Sequence, residues 1–363
     1  MRSFAKINLG LRIGARRGDG FHELLTVYQT IGLHDVIRVR LVRGSGVEIR
    51  CEDPRVPKDD SNTCFRIVEN AMQALGAKGR VVIEIDKQLP VQGGLGGASS
   101  NAVATLLGLE KALRKALPAA ERFRIAAEVG SDLPLFLVGG TVLGVERGEQ
   151  VYPLEDLAAT PCVIVTPEIG VSTPKAFTEW DRRISQGLRP LSSPDLDAAL
   201  KGRPSTEEQA EYEENSAGRG LAGQPGATVP TTTSAKLTVD AASDRMKELG
   251  RGLSAWLSER HSGAPRRGRA ENPLLALVRA GIKNDFEQVV FPEYPELREV
   301  KAALVCAGAK YASLSGSGSA LYGVFASRAE AARAADGLGK RGWRAQATAT
   351  LTRKQYWRRI FVA

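Results

Sequence analysis

The chain has 363 residues and a formal net charge of +9, and its 43% hydrophobic and 25% charged residues are typical of a soluble globular protein. This length is sufficient for two domains. Four scattered cysteines and three histidines argue against a disulfide framework, a zinc site and a multi-histidine centre, so we assign no metal ligands. No apolar run reaches membrane-spanning length, and structure-like sequence begins at Phe4. We therefore expect no signal or transit peptide, no membrane partner and a cytoplasmic location.

The excess of basic residues could favour either nucleic acid or a polyanionic small substrate. The basic residues are spread along the chain, and their local clusters at 266–269 and 353–359 lie in no recognisable nucleic-acid-binding module. A solvated surface is therefore the favoured interpretation. We expect a small-molecule substrate and no nucleic acid partner.

Residues 1–155 are dense in regular patterns, which predicts a first domain over that range. The predicted strands are 36–42, 47–51, 81–85 and 141–146, and the predicted helices are 62–75, 101–113 and 121–129. Asp60 or Ser61 is expected to cap the first of these helices, and Gly130 is expected to end the third.

A second patterned block starts near residue 162 and reaches the C-terminus, which predicts a second domain over 156–363. Its predicted strands are 162–165, 321–325 and 343–348, and its predicted helices are 301–307 and 328–338. Residues 184–233 are polar and then rich in Gly, Pro, Ala and Thr, and a helical pattern returns at 240–258. We therefore expect a long, exposed and flexible insertion at about 184–270.

The stretch 89–101 combines four glycines with two serines, between a predicted strand and a predicted helix. Glycines let the backbone turn several N–H groups toward one point, and a helix N-terminus adds partial positive charge. This pattern predicts a phosphate site, with a flexible connector as the alternative. Ser99 or Ser100 could cap the helix or contact a phosphate or a metal ion. The stretch matches neither common phosphate motif, so it would be a third kind of phosphate loop.

A second glycine–serine stretch, at 313–320, leads directly into the predicted strand 321–325. Because it precedes a strand, it offers no helix dipole. It could be a tight turn or a backbone clamp over the first glycine stretch, and the residues alone leave both open. Its central residues are Ser315, Gly316, Ser317 and Gly318.

Lys6 and Asp132 are charged residues beside apolar sequence. A lysine in an apolar strand is usually a snorkelling edge residue, but in a phosphoryl-transfer site it would face the migrating phosphate or the attacking oxygen. An aspartate between a helix end and an apolar run is commonly a turn or cap residue. In a kinase it could accept or orient the proton of the substrate hydroxyl.

These elements, in their order along the chain, resemble the GHMP kinases, a family named for galacto-, homoserine, mevalonate and phosphomevalonate kinases. The segments 19–24, followed by Tyr28 and Gln29, and 170–177 resemble the members that act on a cytidine-diphosphate-linked methylerythritol. The resemblance covers residues 1–180 and 272–350.

The resemblance implies an α+β, two-domain GHMP kinase fold, with an N-terminal ATP-binding domain, a C-terminal mixed α/β domain and an active site between them. It implies direct transfer of the γ-phosphate of ATP, with Mg²⁺, to the acceptor's 2-hydroxyl in non-mevalonate isoprenoid precursor biosynthesis. A bacterial cytoplasmic enzyme, monomeric or homodimeric, is expected. The alternatives are another small-molecule GHMP kinase, of homoserine or mevalonate type, and a non-catalytic binding protein on this fold.

The resemblance also implies roles for individual residues. Asp132 would be the catalytic base and Lys6 its electrostatic partner. Asn62 would border the adenine, and the residues around the ATP phosphates would be Pro90, Gly93, Gly94, Leu95, Gly96, Gly97, Ala98, Ser99 and Ser100. The residues around the acceptor would be Asn8 at the methylerythritol, Thr173 in the pocket, His22 hydrogen-bonded to the cytosine, and Phe21 and Phe177 on its two faces.

Three features depart from the family pattern. Gln92 stands where glycine is expected, Phe21 stands where tyrosine is common, and the insertion at 184–270 is far longer than usual. Phenylalanine keeps a stacking face but lacks the hydroxyl. Without the resemblance, Phe21 and Phe177 would be interpreted as core aromatics and His22 as a structural histidine.

Overall fold

The computed structural model describes residues 1–186 and 283–361. The predicted helical pattern at 240–258, the basic cluster at 266–269 and most of the predicted insertion lie outside the described residues. Within them, the strands form one six-stranded and one four-stranded sheet.

The first sheet is organised around one long strand, β2. Its strands are β1 (Arg2–Arg16), β2 (His22–Val42), β3 (Gly46–Cys51), β4 (Arg80–Asp86), β5 (Thr141–Val145) and β6 (Gln150–Pro153). The order is β3-β4-β2-β5-β6, and β1 also pairs with β2. All neighbours are antiparallel except β3 and β4. β2 serves three partners because it is long: residues 26–29 pair with both β1 and β5, and residues 36–42 pair with β4.

Four helices accompany the first sheet: α1 (Thr63–Ala74), α2 (Gly97–Leu113), α3 (Ala119–Val129) and α4 (Leu133–Val138). The apolar residues of α1 recur on one face, where Ile67 and Val68 are buried against the core. α2 is buried over much of its length, because neighbouring helices and the sheet enclose it. The first core joins these helices to sheet residues such as Ile37 and Ile83.

The second sheet is antiparallel throughout, in the order β10-β7-β9-β8. Its strands are β7 (Pro161–Val165), β8 (Tyr311–Leu314), β9 (Leu321–Val324) and β10 (Ala345–Ala349). The remaining helices are α5 (Thr173–Ser185), α6 (Glu287–Glu293), α7 (Pro295–Cys306), α8 (Arg328–Lys340) and α9 (Arg353–Ile360). A second core forms between this sheet and α5 to α8, and it includes Trp180, Phe291 and Leu304.

β1 is the strand of the first sheet that packs against the second sheet, and it is buried along nearly its entire length. A third core joins it to the second sheet through Ala5, Ile7, Leu9, Ile164 and Tyr322. The Tyr322 hydroxyl also donates to the Asn8 carbonyl oxygen at 3.0 Å. Successive side chains of a strand point to opposite faces, so Lys6 and Asn8 face away from this third core. Lys6 and Asn8 therefore lie on the face of β1 opposite to the one that packs on the second sheet.

A strand or helix is confirmed at every predicted position within the described residues, but several boundaries were wrong. β2 begins at His22 rather than near residue 36, because its first half is buried on both faces and lacks the alternation of a half-exposed strand. α7 begins at Pro295, ahead of the predicted residue 301, because proline fits the first helical turn.

The predicted cap of α1 was also wrong. Asn62 caps the helix, since its Oδ1 accepts a hydrogen bond from Cys64 N at 2.9 Å. Ser61 instead belongs to the preceding turn, where its amide donates to Asp59 Oδ1 at 3.1 Å. The prediction that Gly130 ends α3 is confirmed.

Candidate active site

The first glycine stretch forms a loop, here called the phosphate loop (residues 93–100), that leads into α2 and packs on β1. Gly94 and Gly96 have φ values of +73° and +69°, in the left-handed region that favours glycine. A Cβ on Gly96 would lie only 3.0 Å from Lys6 Cγ. The Lys6 amide donates to the Leu95 carbonyl at 2.9 Å. The glycines thus allow the loop backbone to lie directly against the strand that carries the lysine.

The second glycine stretch, called the clamp loop (residues 313–320), lies on the phosphate loop. Ser315 Oγ donates to the Gly94 carbonyl at 2.9 Å, and the Ala320 amide donates to the Gly93 carbonyl at 3.1 Å. A Cβ on Gly94 would overlap the Ser315 carbonyl oxygen. The two glycine stretches therefore meet backbone to backbone, as the clamp interpretation requires.

The N-terminus of α2 differs from the prediction in which Ser99 or Ser100 caps it. The helix begins at Gly97, its N-cap is Gly96, and no side chain caps it. Ser100 is buried, with its Oγ 2.7 Å from Ser3 Oγ, whereas Ser99 is half-buried. The first-turn N–H groups of α2 thus have no side-chain acceptor at the cap, which suits a helix end that binds an anion.

Two further contacts surround the phosphate loop. A Cβ on Gly93 would lie 2.9 Å from Pro90 Cγ, so the proline packs closely on the loop. Thr63 Oγ1 donates to the Ala98 carbonyl at 2.9 Å, which ties the start of α1 to the loop. Asn62 is next to this contact, but its side chain caps α1 and donates to the Pro57 carbonyl at 2.6 Å. Its place beside an adenine stays a prediction.

Lys6 and Asp132 meet at the polar face of β1. Lys6 Nζ lies 3.3 Å from Asp132 Oδ2, and the lysine side chain is only 5% exposed, so it does not snorkel. Asp132 occupies the N-cap position of α4 but makes no capping hydrogen bond with its side chain. Its Oδ1 instead accepts from the Tyr28 hydroxyl at 3.1 Å. The structure therefore brings together the two charged residues that the sequence singled out.

Asn8 extends this cluster along β1. Lys6 Nζ donates to Asn8 Oδ1 at 2.7 Å, and Asn8 Nδ2 donates to Thr26 Oγ1 at 2.8 Å. The clamp loop reaches the same point, since a Cβ on Gly316 would lie 3.5 Å from Asn8 Oδ1 and 3.6 Å from Lys6 Nζ. The lysine, the asparagine and both glycine loops therefore surround one location.

The clamp loop also contacts α5. Thr173 Oγ1 lies 2.7 Å from Ser317 Oγ, and Thr173 is the first residue of that helix. Gly318, with a φ of +93°, follows in the left-handed region. The predicted pocket residue Thr173 is thus joined to the loop that covers the phosphate loop.

His22, the first residue of β2, lies against Phe177 of α5. Their rings are stacked with centroids 4.9 Å apart and an interplanar angle of 10°. Each ring of this pair has one further contact. His22 Nε2 lies 2.6 Å from Asp181 Oδ1, and the rings of Phe177 and Phe286 meet edge to face with their centroids 5.0 Å apart. His22 therefore occupies one face of the Phe177 ring.

Phe21 lies apart from that stack and is 54% exposed. Its amide donates to Asp19 Oδ1 at 3.1 Å, and the guanidinium of Arg147 lies 5.3 Å from its ring centroid. Among the described residues, Phe21 and Phe177 do not form the two sides of a closed slot. Stacking of a base between the rings of Phe21 and Phe177 therefore stays a prediction.

The sequence analysis missed a short segment that supports the clamp loop. Asn284 Nδ2 donates to the carbonyls of Leu314 and Gly316 at 2.9 and 2.7 Å. Asp285 accepts from Arg12 Nη1 at 2.9 Å, which ties the segment to β1. The available signal was a run of polar residues, 284–287, interrupted by one phenylalanine and placed before an apolar helix.

A second feature that was not predicted is a buried carboxylate that holds the segment just before the phosphate loop. Asp35 is fully buried, and its carboxylate accepts from Lys87 Nζ and from the amides of Gln88 and Leu89, each at 2.7 Å. A Cβ on Gly97 would lie 3.4 Å from Lys87 Nζ. The Lys87–Asp35 ion pair therefore lies beside the N-terminus of α2, with the ammonium group next to Gly97.

The described residues contain neither a metal-binding cluster of side chains nor a membrane-spanning helix. None of the groupings of His, Cys, Asp and Glu there could hold a metal ion with three or more side chains. Across residues 1–186 and 283–361, no helix is both long and apolar enough to cross a membrane.

The fold corresponds to that of a known class of enzymes. The sequence profile "GHMP kinases N terminal domain" matches residues 62–140, and the profile "GHMP kinases C terminal" matches residues 270–344. A homoserine kinase from Cytophaga hutchinsonii shares the fold, with a TM-score of 0.57 and 18% identity over 97% of this chain and 96% of its own. The mevalonate kinase of Methanococcus jannaschii also shares it, with a TM-score of 0.60 and 10% identity over 97% of this chain and 98% of its own.

More similar relatives carry one common name. The 4-diphosphocytidyl-2-C-methyl-D-erythritol kinase of Solibacter usitatus is 33% identical over 94% of this chain and 85% of its own length. That of Chlorobaculum tepidum is 32% identical over 94% of each chain. A crystal structure of 4-(cytidine 5'-diphospho)-2C-methyl-D-erythritol kinase matches 96% of this chain and 98% of its own, with 26% identity and a TM-score of 0.61. The chain belongs to the GHMP kinases and, within them, to the 4-diphosphocytidyl-2-C-methyl-D-erythritol kinase family.

Proposed function

We propose that the chain transfers the γ-phosphate of ATP to the 2-hydroxyl of 4-diphosphocytidyl-2-C-methyl-D-erythritol, a step of non-mevalonate isoprenoid precursor biosynthesis. The observation that carries this proposal is the Lys6–Asp132 pair, 3.3 Å apart, beside two interlocked glycine loops. Relatives that match the chain over most of both lengths supply the identity of the acceptor. We place the enzyme in the bacterial cytoplasm as a monomer or homodimer, with a domain boundary near residue 155, between β6 and β7.

The acceptor end of the reaction belongs to Asp132. Its carboxylate would accept, or orient, the proton of the 2-hydroxyl as that oxygen attacks the γ-phosphorus and the bond to ADP breaks. Lys6 would offset the negative charge that gathers on the transferring group. Because Asn8 Oδ1 accepts from Lys6 Nζ, the ammonium is held in place before substrate binds.

The ATP end belongs to the phosphate loop and the start of α2. Uncapped N–H groups and the helix N-terminus would bind the phosphate oxygens, and the clamp loop would hold the backbone in that shape. Mg²⁺ prefers phosphate and hydroxyl oxygens, and the described residues offer no carboxylate cluster for it. The ion would therefore bind the triphosphate and the half-buried Ser99, where it neutralises phosphate charge.

The base end belongs to Phe21, His22 and Phe177. The stacked pair of His22 and Phe177 offers an aromatic surface and a ring nitrogen, the two features that bind a cytosine by its face and by its edge. Thr173, hydrogen-bonded to Ser317, would line the pocket between this surface and the clamp loop.

The test is a coupled assay for ADP release with three acceptors at matched concentrations: the cytidylylated methylerythritol, homoserine and mevalonate. We expect turnover with the first to be at least about 100-fold above turnover with the other two. Homoserine and mevalonate have no base, so they cannot use the aromatic surface of the site. Turnover with homoserine or mevalonate alone would replace the proposal with another GHMP activity. The absence of ADP release with all three would favour a non-catalytic binding protein.

A further inference from the structure

Tyr28 contacts Asp132, the proposed catalytic base, and it is not among the site residues predicted from the sequence. Its hydroxyl donates to Asp132 Oδ1 at 3.1 Å, while Lys6 Nζ lies 3.3 Å from the other oxygen, Oδ2. Each oxygen of the carboxylate therefore has its own partner, one neutral and one charged. Two such partners fix the rotation of the carboxylate about its Cβ–Cγ bond.

The ring of Tyr28 can reach Asp132 only because two glycines make room for it. A Cβ on Gly144 would lie 2.5 Å from Tyr28 Cε2, and a Cβ on Gly148 would lie 2.5 Å from the Tyr28 hydroxyl. Gly144 is in β5, which pairs with β2, and Gly148 is in the turn that leads to β6. The sheet therefore encloses the ring on the side away from Asp132 and keeps the hydroxyl pointed at the carboxylate.

The charges around the hydroxyl keep it a hydrogen-bond donor. Burial, followed by the negative charge of Asp132, raises the pKa of Tyr28 well above its usual value, and Glu149 in the β5–β6 turn acts in the same direction. Lys6, from β1, places its ammonium 5.6 Å from the ring centroid. Tyr28 thus stays protonated at any pH at which the enzyme works, and a donor to a carboxylate favours its ionised form.

We infer that Tyr28 is a positioning residue that orients the carboxylate of Asp132 and keeps it ionised for proton transfer. This inference rests on the proposed function, because it assumes that Asp132 acts on the acceptor hydroxyl. Tyr28 does not itself need to touch the acceptor or ATP.

The experiment compares the pH dependence of kcat in the wild-type enzyme and in Tyr28→Phe, which removes only the hydroxyl. We expect kcat to fall about tenfold, with both KM values within about twofold, since the lost bond is to a charged group and acts through Asp132. The lost hydroxyl donates to the ionised carboxylate, so the acid limb of the profile should move upward.

Tyr356→Phe is the matched control. Tyr356 is also fully buried, and its hydroxyl donates to the Phe136 carbonyl at 2.7 Å. That variant should lose comparable stability in a thermal melt but keep the wild-type acid limb. If Tyr28→Phe does not fold, Gly148→Ala displaces the hydroxyl from the other side and should shift the same limb upward.

Three results would overturn the inference: an unshifted acid limb in Tyr28→Phe, a kcat within about twofold of wild type, or a loss confined to the KM values. Its failure can be told apart from that of the proposed function by measuring Asp132→Asn. If Asp132→Asn is inactive while Tyr28→Phe has the wild-type profile, only the role of Tyr28 is wrong. If Asp132→Asn turns over normally, the base assignment fails, and the role of Tyr28 fails with it.

Discussion

The two ends of the proposed site are built differently. At the phosphate end, one backbone and one side-chain hydrogen bond join the phosphate loop and the clamp loop, and the buried Lys6 is paired with Asp132. At the base end, Phe21 is 54% exposed, while the ring of Phe177 is covered on one face by His22. Contacts between separate chain segments hold the first end, whereas at the second end Phe21 is exposed and His22 and Phe177 stack on each other.

We attribute this difference to what each end is proposed to bind. Phosphate is bound by many N–H groups, which only a fixed backbone can aim, so glycines and loop-to-loop contacts must be in place beforehand. A base is bound by side-chain faces, which can turn on their χ angles when the ligand arrives. We therefore expect substitutions at the phosphate end to affect catalysis and ATP, and substitutions at the base end to affect the acceptor alone.

The largest effect is expected for Asp132→Asn. An amide cannot accept the hydroxyl proton, so kcat should fall by about 10³-fold while the binding of ATP and of the acceptor is kept. Single-turnover ADP release and calorimetric titration with each ligand measure the two parts. Asp336→Asn, an exposed acid on α8, is the control. Near-normal turnover in Asp132→Asn would contradict the base assignment.

Gly94→Ala should have the next largest effect. The added Cβ would overlap the Ser315 carbonyl oxygen, so one of the two loops must move, and kcat/KM for ATP should fall by about 100-fold. Gly337→Ala, in α8 with open space at its Cβ, should instead leave activity unchanged. An unchanged kcat/KM for ATP in Gly94→Ala would show that the contact between the two loops is not needed to bind the triphosphate.

At the base end, Phe177→Ala should raise the KM for the acceptor by about 10- to 100-fold, because base stacking on one aromatic ring contributes that much. The KM for ATP should stay within about twofold. Phe361→Ala, an exposed aromatic residue at the end of α9, serves as the control. Equal increases in both KM values would break the distinction between the two ends.

The smallest effect is expected at Gln92, which precedes the phosphate loop and stands where the family pattern has glycine. Gln92 has a φ of +59°, so glycine there would relieve strain, and we expect Gln92→Gly to raise the free energy of unfolding by about 0.5 kcal/mol. Arg114, at the end of α2 with a φ of +52°, is the matched position away from the site. Arg114→Gly should stabilise equally in a denaturant titration. Loss of stability in Gln92→Gly alone would mean that its side chain makes a contact worth more than the strain.

The segments that meet at the phosphate end could be singled out from the sequence, because the signal of each is local. A glycine run before a helix, an aspartate at a helix start and a lysine in an apolar strand are each visible within a few residues. Gln92 was singled out only as a residue that stands where glycine is expected, and its positive φ supplies the physical reason for glycine at that position.

What could not be predicted depends on contacts between distant segments. Tyr28 reaches Asp132 across more than a hundred residues, and Asn284 supports Gly316 from another element. The capping error at α2 has a similar origin: Ser100 is 97 residues from Ser3, its partner in the fold. At the base end, the family pattern named the aromatic residues but not the stack of His22 on Phe177, because side-chain packing depends on both sheets.

The most direct test of the central claim is a phosphorus NMR spectrum of the acceptor after complete reaction with ATP. We predict that the diphosphate signals of the cytidylylated methylerythritol persist and that one new phosphomonoester signal appears. Its phosphorus should couple to the carbon that bears the 2-hydroxyl, and its amount should equal that of the ADP formed. ADP formed with no phosphomonoester on the acceptor, or a phosphate placed on another hydroxyl, would contradict the account.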